Sequence, residues 1–112
     1  LLAERAGVDR ERIIVDPGCG FGKTPAESYA LIDRLGELAG VGLPVLIGHS
    51  RKSMFAEVTA DAGDRLAPTL AMSALAADRG AGVLRVHDVG ANRTVVDAVA
   101  AMQAARRAEV QF

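Results

Sequence analysis

The residues best equipped for chemistry stand at the ends of short apolar runs. In PVLIGHSRKS, residues 44–53, the chain passes from Val45, Leu46 and Ile47 through Gly48 into His49, Ser50, Arg51, Lys52 and Ser53. A planar guanidinium beside a mobile ammonium suits an anionic or electron-rich ligand, Arg51 holding an oxyanion or an aromatic plane and Lys52 supplying a point charge. In VLRVHD, residues 83–88, Arg85 and His87 stand two apart and project to one face if the run is a strand. Near the N-terminus, RIIVD ends at Asp16 and is followed by PGCGFG, which offers a carboxylate next to the ring of Phe21. A carboxylate beside an apolar wall suits a flat heterocycle with amino and ring N–H donors, because the carboxylate accepts both while the wall buries the ring.

The glycine-rich turn imitates phosphate-binding motifs and fails them. Gly22, Lys23 and Thr24 resemble the close of a P-loop, but that motif needs its first glycine at position 17, which is Pro17. A dinucleotide fingerprint beginning Gly18, Gly20 needs Gly or Ala at position 23, which is Lys23.

The elements that must position these groups read as repeated strand and helix units. After a short helical tail, the β-branched run at 12–16 predicts a first strand, Val45 to Ile47 a second strand buried on both faces, and 83–88 a third. Thr24 as N-cap with Pro25 at the first helical position predicts a helix to about Ala39, with Tyr29, Ile32, Leu35, Leu38 and Leu31 on its packed face. Residues 53–59 predict a short helix and 60–65 a polar loop; a further helix then runs from Pro68 to Gly80, its alanines allowing close packing. Asn92 is expected to cap a last helix whose Val95, Val96, Val99 and Met102 are buried. Ionisable residues closing successive parallel strands point to a single pocket at the carboxyl ends of the sheet. Handedness rules predict right-handed connections between the strands.

Composition sets limits on that pocket. With 13 basic and 14 acidic residues among 112 and a net charge of −1, nothing in bulk charge favours nucleic acid or an anionic membrane, so anion binding must be local. No apolar run approaches the roughly 20 residues of a membrane span. The single Cys19 excludes an internal disulfide, is read as a packing residue because no base accompanies it, and fits a cytoplasmic location. The chain opens on Leu1 rather than Met, and an upstream portion is expected.

DPGCGFGKT, PVLIGHSRKS and VLRVHDV, in this order and spacing, resemble dihydropteroate synthase of folate biosynthesis. The resemblance implies an α/β fold comprising about the last three strand–helix units of a TIM (β/α)8 barrel, with residues 1–112 as a partial domain. It implies a transferase that joins a hydroxymethyl-dihydropterin pyrophosphate to para-aminobenzoate, releasing pyrophosphate with the help of Mg²⁺. By this resemblance Asp16 binds the amino-pyrimidine edge of the pterin, Lys52 contacts its ring, and Arg51 stacks over it. Arg85 and His87 hold the pyrophosphate, while Phe21, Lys52 and Ser53 border the para-aminobenzoate pocket where sulfonamides compete. The catalytic set is then Lys52, Arg85 and His87, with metal ligands expected outside this chain and a homodimer formed through the last helix. His49 stands where the family more often has a small residue, which alters pocket shape.

A complete barrel of this kind needs roughly 250 residues, so the isolated chain is expected to expose sheet edges and to lack turnover. Two other readings keep the same pocket. One is a pterin-binding methyltransferase domain, against which the SRK and RVHD elements argue, and the other is a noncatalytic pterin-binding domain.

Overall fold

Three apolar segments lie side by side, and their pairing sets the frame. In the computed structural model, which describes residues 1–60 and 64–111, β1 (Leu46–Ile47) and β2 (Val83–Leu84) pair in parallel, Leu46 opposite Val83 and Ile47 opposite Leu84. Val15 joins through a parallel bridge to Val45. Its N–H donates to the Pro44 carbonyl at 2.9 Å and its carbonyl accepts from Leu46 N–H at 2.8 Å. Parallel neighbours need long crossovers. These are supplied by α2 (Pro25–Asp33) with α3 (Leu35–Ala39), and by α4 (Leu66–Asp78). A short α1 (Leu2–Arg5) opens the chain and α5 (Val89–Arg107) closes it.

The strands are shorter than the sequence suggests. Residues 10–12 form a 3-10 turn, leaving only Val15 of the expected first strand in a bridge. The third strand stops at Leu84 because its last ladder bond is Arg85 N–H to the Ile47 carbonyl, 3.0 Å, after which the chain turns into α5. Val45 and Ile47 are fully buried, whereas Leu46 between them is half-buried, so the two faces of this strand are unequal. The helix expected to reach Ala39 is interrupted at Arg34 (φ −99°, ψ 20°), two residues before Gly36, where helix propensity drops. The short helix expected at 53–59 is a 3-10 turn over Ser53–Phe55, and the polar loop expected at 60–65 lies partly outside the described residues.

Caps and core explain what does form. Thr24 Oγ1 accepts from Glu27 N–H at 3.1 Å while the Glu27 carboxylate accepts from Thr24 N–H at 3.0 Å, closing a capping box at the start of α2. Val45 and Ile47 pack with Cys19, Ile32, Leu35, Met54, Phe55 and Ala76. Phe55 is fully buried, with Tyr29 edge-on at 6.2 Å and His49 at 6.4 Å.

The buried faces of the two long helices are partly polar. The buried residues of α4 are Thr69, Ser73 and Ala76, while Leu75 is exposed. In α5 Val99 is buried and Met102 is exposed. Asn92 does not cap this helix, which begins at Val89 with Asp88 at the N-cap. Asn92 instead lies buried one turn in, its side-chain amide donating to the Asp88 carbonyl at 2.9 Å.

The molecule is flat, 45 × 43 × 24 Å. Its radius of gyration of 15.4 Å exceeds the ~13 Å of a compact domain of this length. Ile14 and Val89 accordingly remain exposed. No helix among the described residues is long and apolar enough to cross a membrane.

Truncating the central ring tests this account of the core. Phe55→Ala is expected to cost ~3–5 kcal/mol in urea unfolding, and a loss below ~1 kcal/mol would show that Phe55 does not anchor the core.

Candidate functional site

The glycine-rich turn after Asp16 is built to bring a lysine across it. Gly18, Gly20 and Gly22 have φ of 75°, 86° and 60°, in the left-handed region that favours glycine. One Asp16 oxygen accepts from Gly18 N–H at 2.8 Å, fixing the turn. A Cβ at Gly20 would stand 2.6 Å from Lys52 Cδ, so only glycine leaves space for that side chain. Lys52 Nζ then donates to the Cys19 carbonyl at 2.7 Å and lies 4.2 Å from the centre of the Phe21 ring, a cation–π distance. Lys23 folds back on its own loop, donating to the Gly18 and Phe21 carbonyls.

Lys52 forms one side of a cleft of about 310 Å³ lined by Phe21, Gly48, Ser50, Arg85, Val86 and His87. Arg85 and His87 both line it, and so does Val86 between them, because all three lie past the end of β2, where strand alternation no longer applies. His87 is held from behind by Ser50, whose Oγ accepts from His87 N–H at 3.1 Å and lies 2.8 Å from Nδ1. The cleft thus gathers two permanent cations, an imidazole and an aromatic ring at the carboxyl ends of parallel strands, an arrangement suited to an anion attached to a flat group.

The other polar residues are directed elsewhere. Arg51, with φ 55°, donates from Nε and Nη2 to the two Asp88 oxygens at 3.1 and 2.6 Å and is not among the residues lining the cleft. This pairing raises the pKa of Arg51 and holds the Asp88 carboxyl below its ordinary range. The left-handed backbone of Arg51 is secured at both ends: its N–H donates to Thr69 Oγ1 at 3.1 Å and its carbonyl accepts from Arg65 at 3.1 Å. Asp16 and Ser53 are exposed and also lie outside the cleft lining, Ser53 opening the 3-10 turn that follows Lys52. Cys19 is buried with its sulfur 3.8 Å from Met54 Sδ, and burial pushes its thiol pKa up, which leaves it inert.

His49 is fully buried and faces the helices. Its Nε2 lies 2.8 Å from Ser73 Oγ and 3.1 Å from the Thr69 carbonyl. Because the Ser73 hydroxyl donates to Asn92 Oδ1, Nε2 must carry the proton in the neutral ring. Burial lowers the His49 pKa, with the Thr69 carbonyl opposing the shift. Sequence reading missed this chain from His49 through Ser73 and Asn92 to the Asp88 carbonyl. Its only local signal was the i, i+4 pair of small polar residues, Thr69 and Ser73, on an otherwise apolar helix.

A family model described as "Pterin binding enzyme" matches residues 1–87. The chain belongs to this family. It is 51% identical over 109 residues to a "Probable bifunctional folylpolyglutamate synthase/dihydropteroate synthase" of Haloferax volcanii, covering 97% of this chain and 13% of that one. It is 44% identical over 87 residues to "Dihydropteroate synthase" of Escherichia coli, covering 77% and 31%. An "Inactive dihydropteroate synthase 2" of Mycobacterium tuberculosis is 41% identical over 105 residues, covering 93% and 33%. Among solved structures, dihydropteroate synthase from Xanthomonas albilineans in complex with 7,8-dihydropteroate superposes with a TM-score of 0.87 at 44% identity, covering 92% of this chain and 40% of that one. The chain therefore spans a third or less of the length of these curated relatives.

Within this family member, the neutral buried His49 gives a pH signature. Its folded-state pKa lies below the ordinary value of ~6.5. The unfolded chain therefore binds the proton first as pH falls, and the stability from keeping His49 neutral is complete above ~6.5 and lost below it. The urea midpoint is expected to fall between pH 7.5 and 5.5, with a limiting slope of ~1.4 kcal/mol per pH unit, and to fall less in His49→Gln. Equal pH dependence in both proteins would refute the assignment.

Proposed function

We propose that this chain contributes the last three strand–helix units of a (β/α)8 barrel and that, in the native polypeptide, its cleft is the pyrophosphate side of a dihydropteroate synthase site. The observation that carries this reading is the convergence of Lys52, Arg85, His87 and Phe21 on one cleft at the carboxyl ends of parallel strands. The likeness to dihydropteroate synthases, among them the Xanthomonas albilineans protein in complex with 7,8-dihydropteroate, supports it.

In this reading Arg85 and His87 receive the pyrophosphate of a pterin substrate, and Lys52 stands between that anion and the Phe21 wall, where para-aminobenzoate docks with Ser53 at the border. Asp16, with one oxygen committed to Gly18, keeps the other for donors on the pterin edge. Arg51 serves through its ion pair with Asp88, which braces the loop that carries Lys52. The reaction breaks the bond between the pterin methylene carbon and the pyrophosphate oxygen and forms one to the amine nitrogen, which then loses a proton. Negative charge grows on the departing oxygens, where the two cations and the imidazole stabilise it. The amine needs orientation more than a strong base.

Magnesium, which the family resemblance implies, is not matched by the cleft's own side chains. The cleft's only side-chain oxygen is the Ser50 hydroxyl, already engaged by His87, and its charged groups are cations, whereas Mg²⁺ takes several oxygen ligands. No group of three His, Cys, Asp or Glu residues able to hold a metal occurs among the described residues. No step above runs through the ion. Homodimer formation through the outer face of α5, where Met102 is exposed, belongs to the same proposal.

A noncatalytic domain is the second reading, favoured by the Mycobacterium tuberculosis relative whose name carries "Inactive". The two readings separate on para-aminobenzoate-dependent pyrophosphate release by the native polypeptide. Release is expected, with Arg85→Ala lowering kcat/KM by roughly 10²–10³ and Lys52→Ala lowering it comparably. A well-folded, pterin-binding protein that releases no pyrophosphate would decide for the noncatalytic domain. Gly20→Ala, which displaces the Lys52 side chain, is expected to reproduce most of the Lys52→Ala loss. Full activity in that variant would show that the glycine is not there for the lysine.

A further inference from the structure

Ser50 is absent from the set of residues that the family resemblance carries over, yet it holds both ends of one that is included. It follows β1, is buried, and stands 37 positions before His87. Its single oxygen makes two contacts to the same residue, accepting from His87 N–H at 3.1 Å and facing ring Nδ1 at 2.8 Å. A backbone N–H can only donate, so one lone pair of Oγ is committed to it. The Ser50 hydroxyl has no other acceptor among the described residues, so with a neutral imidazole its proton goes to Nδ1, which makes Nδ1 the acceptor and puts the ring proton on Nε2. Nε2 has no protein partner among the described residues, and the His87 side chain lines the cleft. When the ring is charged, Oγ still has a second lone pair to accept Nδ1–H. In both states the nitrogen left for a ligand bears a proton.

We propose that Ser50 is a positioning residue that fixes the His87 ring so that Nε2–H is offered to an anion in the cleft. Without the hydroxyl the ring is free to turn about its side-chain torsions, and either nitrogen can become the donor. The link to the pyrophosphate group rests on the functional reading above, whereas the link to ring geometry does not.

The test uses the native polypeptide, ¹⁵N spectra of the His87 ring and titration with inorganic pyrophosphate. In the wild type, Nε2 is expected to be protonated and Nδ1 to show the upfield shift of a hydrogen-bonded acceptor. Ser50→Ala is expected to lose that shift and to weaken pyrophosphate binding roughly three- to tenfold, and Ser50→Thr to retain both. If Ser50→Ala does not fold, the histidine side decides. His87→Gln places an amide near the Nε2 position and is expected to bind pyrophosphate more tightly than His87→Asn, whose amide reaches only the Nδ1 position. An Nδ1 signal unchanged by Ser50→Ala, a changed signal with unchanged affinity, or tighter binding by His87→Asn would each overturn the proposal. A wild type that shows the Nδ1 signature but binds no pyrophosphate would overturn the functional reading and support the role of Ser50 in ring geometry.

Discussion

At the carboxyl end of β1 the chain carries two polar side chains, His49 and Ser50, into buried positions one glycine beyond the apolar Ile47. A polar group buried without a partner costs about 1–3 kcal/mol, so the surroundings must supply partners in two directions at once. Towards the helices, His49 is met by Ser73 and the Thr69 carbonyl, and through Ser73 by Asn92. Towards the cleft, Ser50 is met by His87. The small polar face of α4, the buried amide on α5 and the orientation of His87 all answer this one constraint.

The same hydrogen bonds join elements far apart in sequence. Asn92 reaches the Asp88 carbonyl, the Asp88 carboxylate holds the Arg51 fork, and the Arg51 N–H rests on Thr69. Arg51 and Lys52 are adjacent in the chain but point apart, Arg51 into this network and Lys52 across Gly20 to the Cys19 carbonyl. The left-handed backbone at Arg51 makes that divergence possible, and its two side-chain partners stabilise a conformation that L-residues otherwise avoid. Neighbouring cations are thereby divided between bracing and binding. A chain of net charge −1 still presents a cationic cleft, because Lys52 and Arg85 are brought together from the ends of two parallel strands.

The start of α2 and the glycine turn were legible in the sequence because their causes are local. The Thr24–Glu27 box and Pro25 act within one turn, and the cluster of glycines after Asp16 marks backbone that must adopt positive φ. Arg85 and His87 do share a wall, but Val86 lines it too, so the turn after Leu84 rather than their two-residue spacing places them there. Strand lengths were not legible, since a ladder extends only as far as a neighbour offers partners, and those partners lie dozens of residues away. The polar part of the buried face of α4 was not foreseen because its alanines were followed, whereas its neighbour is the polar His49.

The sequence by itself therefore determined the parallel strand–helix order, the family-bearing motifs and the cluster of cations at strand ends. Tertiary structure alone decided which polar residues face the cleft and which face the helices. His49 against His87, and Arg51 against Lys52, are alike in residue type and nearby motif. They differ only in the partners that folding brings to them, and those partners come from elements too distant in sequence for local spacing to reveal.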